Sequence, residues 1–576
     1  MLIFIKLILF CLSNLGYYSL LKKKTDLNLC FFPVVTIGIQ ITVLFFAGIL
    51  NLLPQVTYLL YLGGIFLFAY EIFRRKGDSF REFFRIPYVF LAVSFLVVIL
   101  VLSGSKFYDY DDFSHWAMAA RSLLQNNRYP NFSDYLIQFK EYPLGSTSYI
   151  YYFCKLTGNT ESMQMMAQAF MMLAAIVPIF SVMRKNKVFS LIFALLFTNL
   201  IFTFLIPVTS LLVDTLLPLF GMSALLLIKS GQTAGSLGET GKQKEAQLFA
   251  VPILVSTALI KNSGIFFVLI ALVMVLLPMM KNRRVSWKML LIYMLPFLVL
   301  LLWNRHCLLV FTNPETAKHA MTVENYMLQL KDKGLLDILR ICFHTVKFML
   351  SHSALLFVLG GAAVLILTII FADSGRSREF DKEFGAAVCI YGAYILGMCG
   401  MYVFSMPLEE ARILASIERY TDSAVIALLY FIAVWMVDLI SDLNSQKVRI
   451  LVCCCSLGWV LLTWGFLCGF SVIHGGQGNE VRQELETQVQ YYDLPLGSEY
   501  FIYGDDPVGY GYIYHMSQYV LQSMEIQVES QISKYDFPNI MKRQYLILLK
   551  PAEDILGTWI LDNYPDQYGS RVIVLH

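Results

Sequence analysis

Apolar residues run along this chain in blocks of roughly 20, the length at which an α-helix crosses a bilayer. The blocks fall near 3–21, 29–50, 55–73, 86–104, 164–183, 188–206, 209–228, 248–260, 263–280, 288–303, 346–372, 384–405, 421–440 and 449–472. They predict an all-α polytopic membrane protein with about 12–14 transmembrane helices. The pair at 248–260 and 263–280 is short, and reads either as two spans or as one re-entrant unit. The stretch 231–245 (GQTAGSLGETGKQKE) has the composition of a flexible linker. After residue 472 the pattern changes. YFIY at 500–503, YLILL at 545–549 and VIVL at 572–575 are short β-type runs, with helix-like stretches at Val481–Gln490 and Asp554–Asn563. This predicts a membrane domain over 1–472 and a small α/β domain over 473–576. No internal repeat of membrane or solenoid type is visible.

Composition sharpens the class. The chain is 57% hydrophobic and 15% charged, where soluble domains carry about 25% charged residues. So much apolar surface does not fit one core with a wet exterior. A soluble enzyme, a disordered chain and a nucleic-acid binder are excluded. There are 11 cysteines, mostly within apolar runs, Cys453, Cys454 and Cys455 among them. Without CxxC or Cys/His ligand spacing they read as buried thiols. The first run, from Lys6 to Leu21, lacks a small-residue cleavage site and reads as a retained span.

The net charge of +3 says little, but its placement says more. One alternating set of loops holds Lys22, Lys23, Lys24, Arg74, Arg75, Lys76, Arg81, Arg85, Arg184, Lys185, Lys187, Lys281, Arg283 and Arg284 in short segments. The positive-inside rule puts that set in the cytoplasm. The long segments 105–163, 304–345 and 406–420 and the C-terminal domain then face outward, with both termini outside.

The first outer loop, 105–163, begins KFYDYDDFSHW. Asp109, Asp111 and Asp112 stand within a few residues of the membrane surface. Asp111 and His115 are four apart, as are Asp112 and Trp116, so each pair shares a helix face. Phe113, Trp116, Ala117, Ala120 and Leu124 form an apolar stripe. The spacing predicts an interfacial helix with its acidic start exposed. One Asp would serve as a helix cap; three beside a His suggest chemistry. Carboxylates here suit a general base acting on an acceptor hydroxyl. Asp109, Asp111, Asp112 and His115 also suit a divalent cation such as Mg²⁺ or Mn²⁺. Asp214 lies in the apolar run LLVDTLLPLF, where a carboxylate is costly and functional by default. Lys261 falls at the break between two short spans, in ALIKNSGIFF. Its ammonium there suits a phosphate; the plainer role is a snorkelling interfacial Lys. ARILASIERYTD places Arg412, Arg419 and Tyr420 just outside a late span.

Taken together, these residues resemble the GT-C superfamily, integral membrane glycosyltransferases that use polyprenyl-phosphate-linked sugars, including the bacterial dolichyl-phosphate-mannose-protein mannosyltransferase-like group. The resemblance runs over roughly residues 86–440. It rests on the acidic pair after an early span, an amphipathic helix, then Tyr142-Pro143, a Lys followed by Ser-Gly, and Arg-Tyr at the start of a late helix. It implies a GT-C-like fold and a catalytic acid at Asp111 or Asp112. It implies donor-phosphate contacts from Lys261, Arg412, Arg419 and Tyr420, and substrate contacts from Asp109, His115, Tyr142 and Asp214. The implied reaction is an inverting transfer from the lipid-phosphate sugar to a hydroxyl of a glycan, lipid or protein at the outer face of the cell membrane. Two other activities fit parts of the pattern. A transporter or flippase of lipid-linked glycans would also line a cavity with charge, usually through broken, repeated helices. A glycan polymerase or ligase would use a large late loop, such as 304–345 with Arg305, His306, Lys318 and His319. GDD at 504–506 reads as a strand-to-loop turn.

Overall fold

The computed structural model describes residues 2–75, 78–185, 187–202, 208–281, 286–311, 323–351, 354–371, 374–442, 480–509, 511–552 and 554–575, with the single residues 446, 450 and 454. Among them nine helices are long and apolar enough to cross a membrane, or ten if Leu335–Ser351 and Ala354–Ile370 form one bent span. Two shorter apolar helices, Ile86–Leu102 and Lys187–Leu200, lie among them. The protein is therefore a helical multi-pass membrane protein. The expected span 449–472 falls outside the described residues apart from residues 450 and 454.

Small residues set how closely the helices approach. Leu2–Lys24 packs on Leu53–Arg75 where a Cβ on Gly16 would stand 2.0 Å from the Gly64 carbonyl oxygen. Only glycine allows that contact, as at many helix crossings in lipid. The same device corrects the expected linker at 231–245. Leu216–Ser236 and Thr240–Ile260 are long helices, with only residues 237–239 between them. Gly231 faces Ala246, where an added Cβ would meet the alanine's at 2.6 Å, and Gly235 faces Gln243. Those two glycines serve packing rather than flexibility. The span expected from residue 209 instead begins at Leu216, after a non-helical segment, 208–215. The span expected at 384–405 is part of a 31-residue helix, Ser374–Phe404.

The C-terminal unit is α/β. Helix Glu480–Tyr491 precedes β1 (Tyr500–Tyr503), helix Tyr512–Leu521, β2 (Ile526–Glu529), β3 (Tyr545–Leu548), helix Asp554–Asn563 and β4 (Val572–Val574). The sheet order is β2-β1-β3-β4. β1 runs parallel to both β2 and β3, pairing Tyr500 with Ile526 and with Tyr545, while β4 is antiparallel to β3. Buried Leu485, Tyr512 and Tyr519 belong to the same apolar core as Phe107, Phe113 and Phe170, so the unit is seated on the helical body.

Candidate active site at the start of the first loop

The loop is shaped by its own first aspartate. Asp109 Oδ1 accepts the Asp111 N–H at 2.9 Å, and the Asp109 carbonyl accepts the Asp112 N–H at 3.1 Å. The turn that follows, Asp112–Trp116, is π-helical and leads into helix Ala117–Asn126. This start is not exposed at an interface, as the sequence suggested. Residues 112–120 are all buried, in part because the C-terminal unit packs on Phe113. Tyr512 and Tyr519 pack on Phe113 with ring centroids at 5.8 and 5.4 Å, and His515 meets Tyr110 edge-on at 5.0 Å.

The two neighbouring carboxylates take different roles. Asp112 is fully buried; its Oδ1 accepts the Leu211 N–H at 2.9 Å, while Oδ2 has no hydrogen-bond partner. Burial, reinforced by Asp109, pushes its carboxyl well above the usual range. Asp111 remains partly open and forms an ion pair with Arg419 Nη1. Asp109 lies close enough to feel both Arg419 and Asp214: burial raises its carboxyl, Arg419 opposes this and Asp214 adds to it.

Asp214 is not inside a span. It sits in the turn just before helix Leu216–Ser236, only 2% exposed, and this turn is held by Gln168, whose Nε2 donates to the Ser210 and Leu212 carbonyls at 3.2 and 3.1 Å. Its Oδ1 takes Lys261 Nζ at 2.7 Å. Lys261 stands in extended backbone between helix Thr240–Ile260 and the turn Asn262–Gly264. That turn needs its glycine, since a Cβ on Gly264 would lie 2.1 Å from the Thr257 carbonyl oxygen. Lys261 Nζ also lies 5.2 Å from the centre of the Tyr420 ring, within cation–π range. Tyr420 neighbours Arg419 on the first turn of helix Ile417–Asp442. Leu414 and Ser416, just before it, have φ of 52° and 62°, a left-handed backbone that is costly for leucine. A cation in a helix's first turn opposes the macrodipole, so Arg419 is placed there against local preference.

The remaining candidates divide. Tyr142 stacks on Phe139 and Trp116 at 5.4 and 5.7 Å. Its hydroxyl is raised by burial, with Lys261 opposing. His115 touches Tyr142 edge-on at 5.1 Å but is buried. Neither ring nitrogen has a hydrogen-bond partner, and burial pulls its pKa down to about 3, so it is neutral. Arg412 does not join the group: it holds Asp337 Oδ1 through Nε and Nη2 at 3.3 and 3.0 Å, with its side chain 58% exposed. Nor do Asp109, Asp111, Asp112 and His115 form a metal-ligand set; among the described residues no three His, Cys, Asp or Glu side chains converge as one. Lys318 and His319 lie outside the described residues. His306 stacks on Trp303 at 5.6 Å, away from the carboxylates. Asp506 Oδ1 accepts the Val508 and Gly509 N–H groups at 3.1 and 2.8 Å, which makes the GDD stretch a capped turn.

Several contributors carry no signal in the sequence. Tyr108 shares a hydrogen bond with Thr209 at 3.0 Å, and Tyr394 Oη donates to the Tyr420 carbonyl at 3.1 Å. Both are single tyrosines among the chain's 33, made relevant only by contacts across distant segments. The result is two carboxylate–cation pairs, Asp111–Arg419 and Asp214–Lys261, bridged by Tyr420 and Asp109. Such a group offers a base, two cations for an anionic leaving group, and an aromatic wall. No protein-family model, curated protein or solved structure matches this chain.

Proposed function

We propose that this protein is a membrane glycosyltransferase of GT-C type, inverting the sugar it takes from a polyprenyl-phosphate donor. The observation that carries the reading is the pairing of Asp111 with Arg419 beside Asp214–Lys261, with the ring of Tyr420, the residue after Arg419, 5.2 Å from Lys261 Nζ. A donor phosphate competes for the Arg419 guanidinium, which binds phosphate bidentately. Its arrival releases Asp111 to accept a proton from the acceptor hydroxyl. The hydroxyl oxygen then attacks the anomeric carbon. The bond from that carbon to the phosphate oxygen breaks, and the electron pair leaves with the polyprenyl phosphate. Arg419 and Lys261 stabilise the charge where it grows. One displacement inverts the anomeric centre. Asp109 and Tyr142 line the sugar, and the acceptor is a hydroxyl of a glycan, lipid or protein.

The site is extracytoplasmic in this reading. It follows the C-terminal end of helix Ile86–Leu102, while the basic loop 74–85 lies at the other end. The test is transfer from a radiolabelled polyprenyl-phosphate sugar in membranes holding equal amounts of each variant. Asp111→Asn is expected to lower the rate by roughly 10²–10⁴-fold, the usual worth of a general base. Normal transfer by Asp111→Asn would remove it as the base.

A further inference from the structure

At the other end of helix Ile86–Leu102 is a cavity that the proposed reaction does not use. It has a volume of about 640 Å³, and Asn28, Arg85, Tyr88, Ser181, Arg184 and Lys187 are among its lining residues. A second cavity of about 380 Å³ shares Asn28, Leu29 and Arg85 with it and adds Lys242. A 17-residue helix is roughly 25 Å long, so these cavities and the Asp109–Asp112 turn belong to opposite membrane faces.

The cavity's chemistry is cationic at the mouth and apolar in the wall. Arg85 meets Glu82 only at 3.5 Å and is 62% exposed. Arg184 holds Asp438 and Asp442 at 3.2 and 3.7 Å through Nε and Nη1, and is 51% exposed. A guanidinium has five N–H donors, so both retain donors for an anion. Ser181 Oγ is sealed from solvent without a hydrogen-bond partner. Helices Ile86–Leu102 and Lys187–Leu200 pack on each other, and both begin at the cavity, adding their positive ends. The wall is Leu29, Ile86 and Phe180. From it the outer face of Ile86–Leu102 continues as exposed Val93, Leu96, Val97 and Leu100. A soluble anion has no use for that apolar track, whereas an amphiphile does. The loops at this end are also the Lys/Arg-rich set, and basic crevices between helices on the cytoplasmic side suit anionic headgroups.

We propose that this cavity binds the phosphate headgroup of an anionic phospholipid from the leaflet on that face, with its acyl chains along Ile86–Leu102. The site is separate from sugar transfer and does not depend on it. The full-length protein in detergent would be titrated with phosphatidylglycerol, phosphatidylcholine and inorganic phosphate, and bound lipid read by native mass spectrometry. Phosphatidylglycerol is expected to be retained about tenfold better than phosphatidylcholine, and Arg85→Gln/Lys187→Gln to abolish the preference. Equal retention of both lipids, or an unchanged preference in the double variant, overturns the proposal. So does complete displacement of phosphatidylglycerol by inorganic phosphate, which would mark a site for the free anion. A second measurement needs no variant. A photoactivatable phosphatidylglycerol is expected to label peptides containing 84–88 and 181–187 of the unaltered protein, and labelling confined to other peptides overturns the site.

Discussion

An ionised carboxylate is expensive to bury without partners, and Asp112 has one oxygen in that position. Its folded pKa is raised by burial and then by Asp109. The stability associated with its protonated form is therefore complete below the ordinary carboxylate value of about 3.9. It is lost as pH climbs through the raised value. Asp112→Asn keeps an oxygen for the Leu211 N–H and removes the titration. Relative to the unaltered protein, the variant is expected to gain stability as pH rises above the ordinary carboxylate value, by at most roughly 1.4 kcal/mol per pH unit. Melting curves across that range test it, and a constant difference would mean that Asp112 does not titrate there. The cluster of Asp109, Asp111 and Asp112 was legible from spelling alone. Which member is buried and which meets a cation was not, because Leu211 and Arg419 come from segments about 100 and 300 residues away and periodicity records only local neighbours.

At the scale of elements, apolar runs identified most helices but not their ends. A run shows where lipid or core is faced; it does not show how far a helix continues once it packs on another. Gly, Ser and Thr between 231 and 245 suggested slack chain, yet in the hairpin of Leu216–Ser236 and Thr240–Ile260 Gly231 and Gly235 are contact surfaces. Gly231→Leu would drive a side chain into Ala246, whose Cβ already stands 2.6 Å from the added one. A loss of about 1–3 kcal/mol is expected, as for overpacked cores. Gly241→Ala, with nothing within 4 Å of its added Cβ, is the control and should be neutral or slightly stabilising. Thermal melting of both variants distinguishes packing from flexibility, since a linker would tolerate either change. The strands of the tail were easier to read: YFIY, YLIL and VIV combine β-branched and aromatic residues between turns. IQVE at 526–529 escaped notice because its burial is incomplete and its polar residues break the run.

At the scale of the whole molecule, one arginine joins the α/β unit to the loop that carries the acids. Arg482 has a side chain 5% exposed and holds Glu161 Oε1 at 2.6 Å; its Nη1 donates to the Phe107 carbonyl. Glu161 Oε2 in turn accepts the Phe107 N–H at 2.6 Å. Tyr519 Oη donates to Glu161 Oε1 at 3.1 Å, and Tyr512 Oη donates to the Tyr108 carbonyl at 3.1 Å. The backbone from Phe107 to Tyr108, immediately before Asp109, is thereby gripped from the α/β side. Removing Arg482 leaves the part-buried Glu161 carboxylate without its cation; breaking a fully buried pair costs about 3–5 kcal/mol, an upper bound here. That loss falls first on the seam, at Glu161 and Phe107, rather than on the helices around Leu2–Lys24. Arg482→Met is therefore expected to speed amide hydrogen exchange across residues 106–126 while leaving residues 32–49 protected. If the proposed function holds, slower sugar transfer should accompany the change, because a proposed base held on a loosened loop spends less time in line with its substrate. Exchange that rises equally in both regions would instead mean that Arg482 supports the whole fold. Unchanged exchange at 106–126 would mean that the loop is held from the membrane side alone, through Thr209 and Leu211.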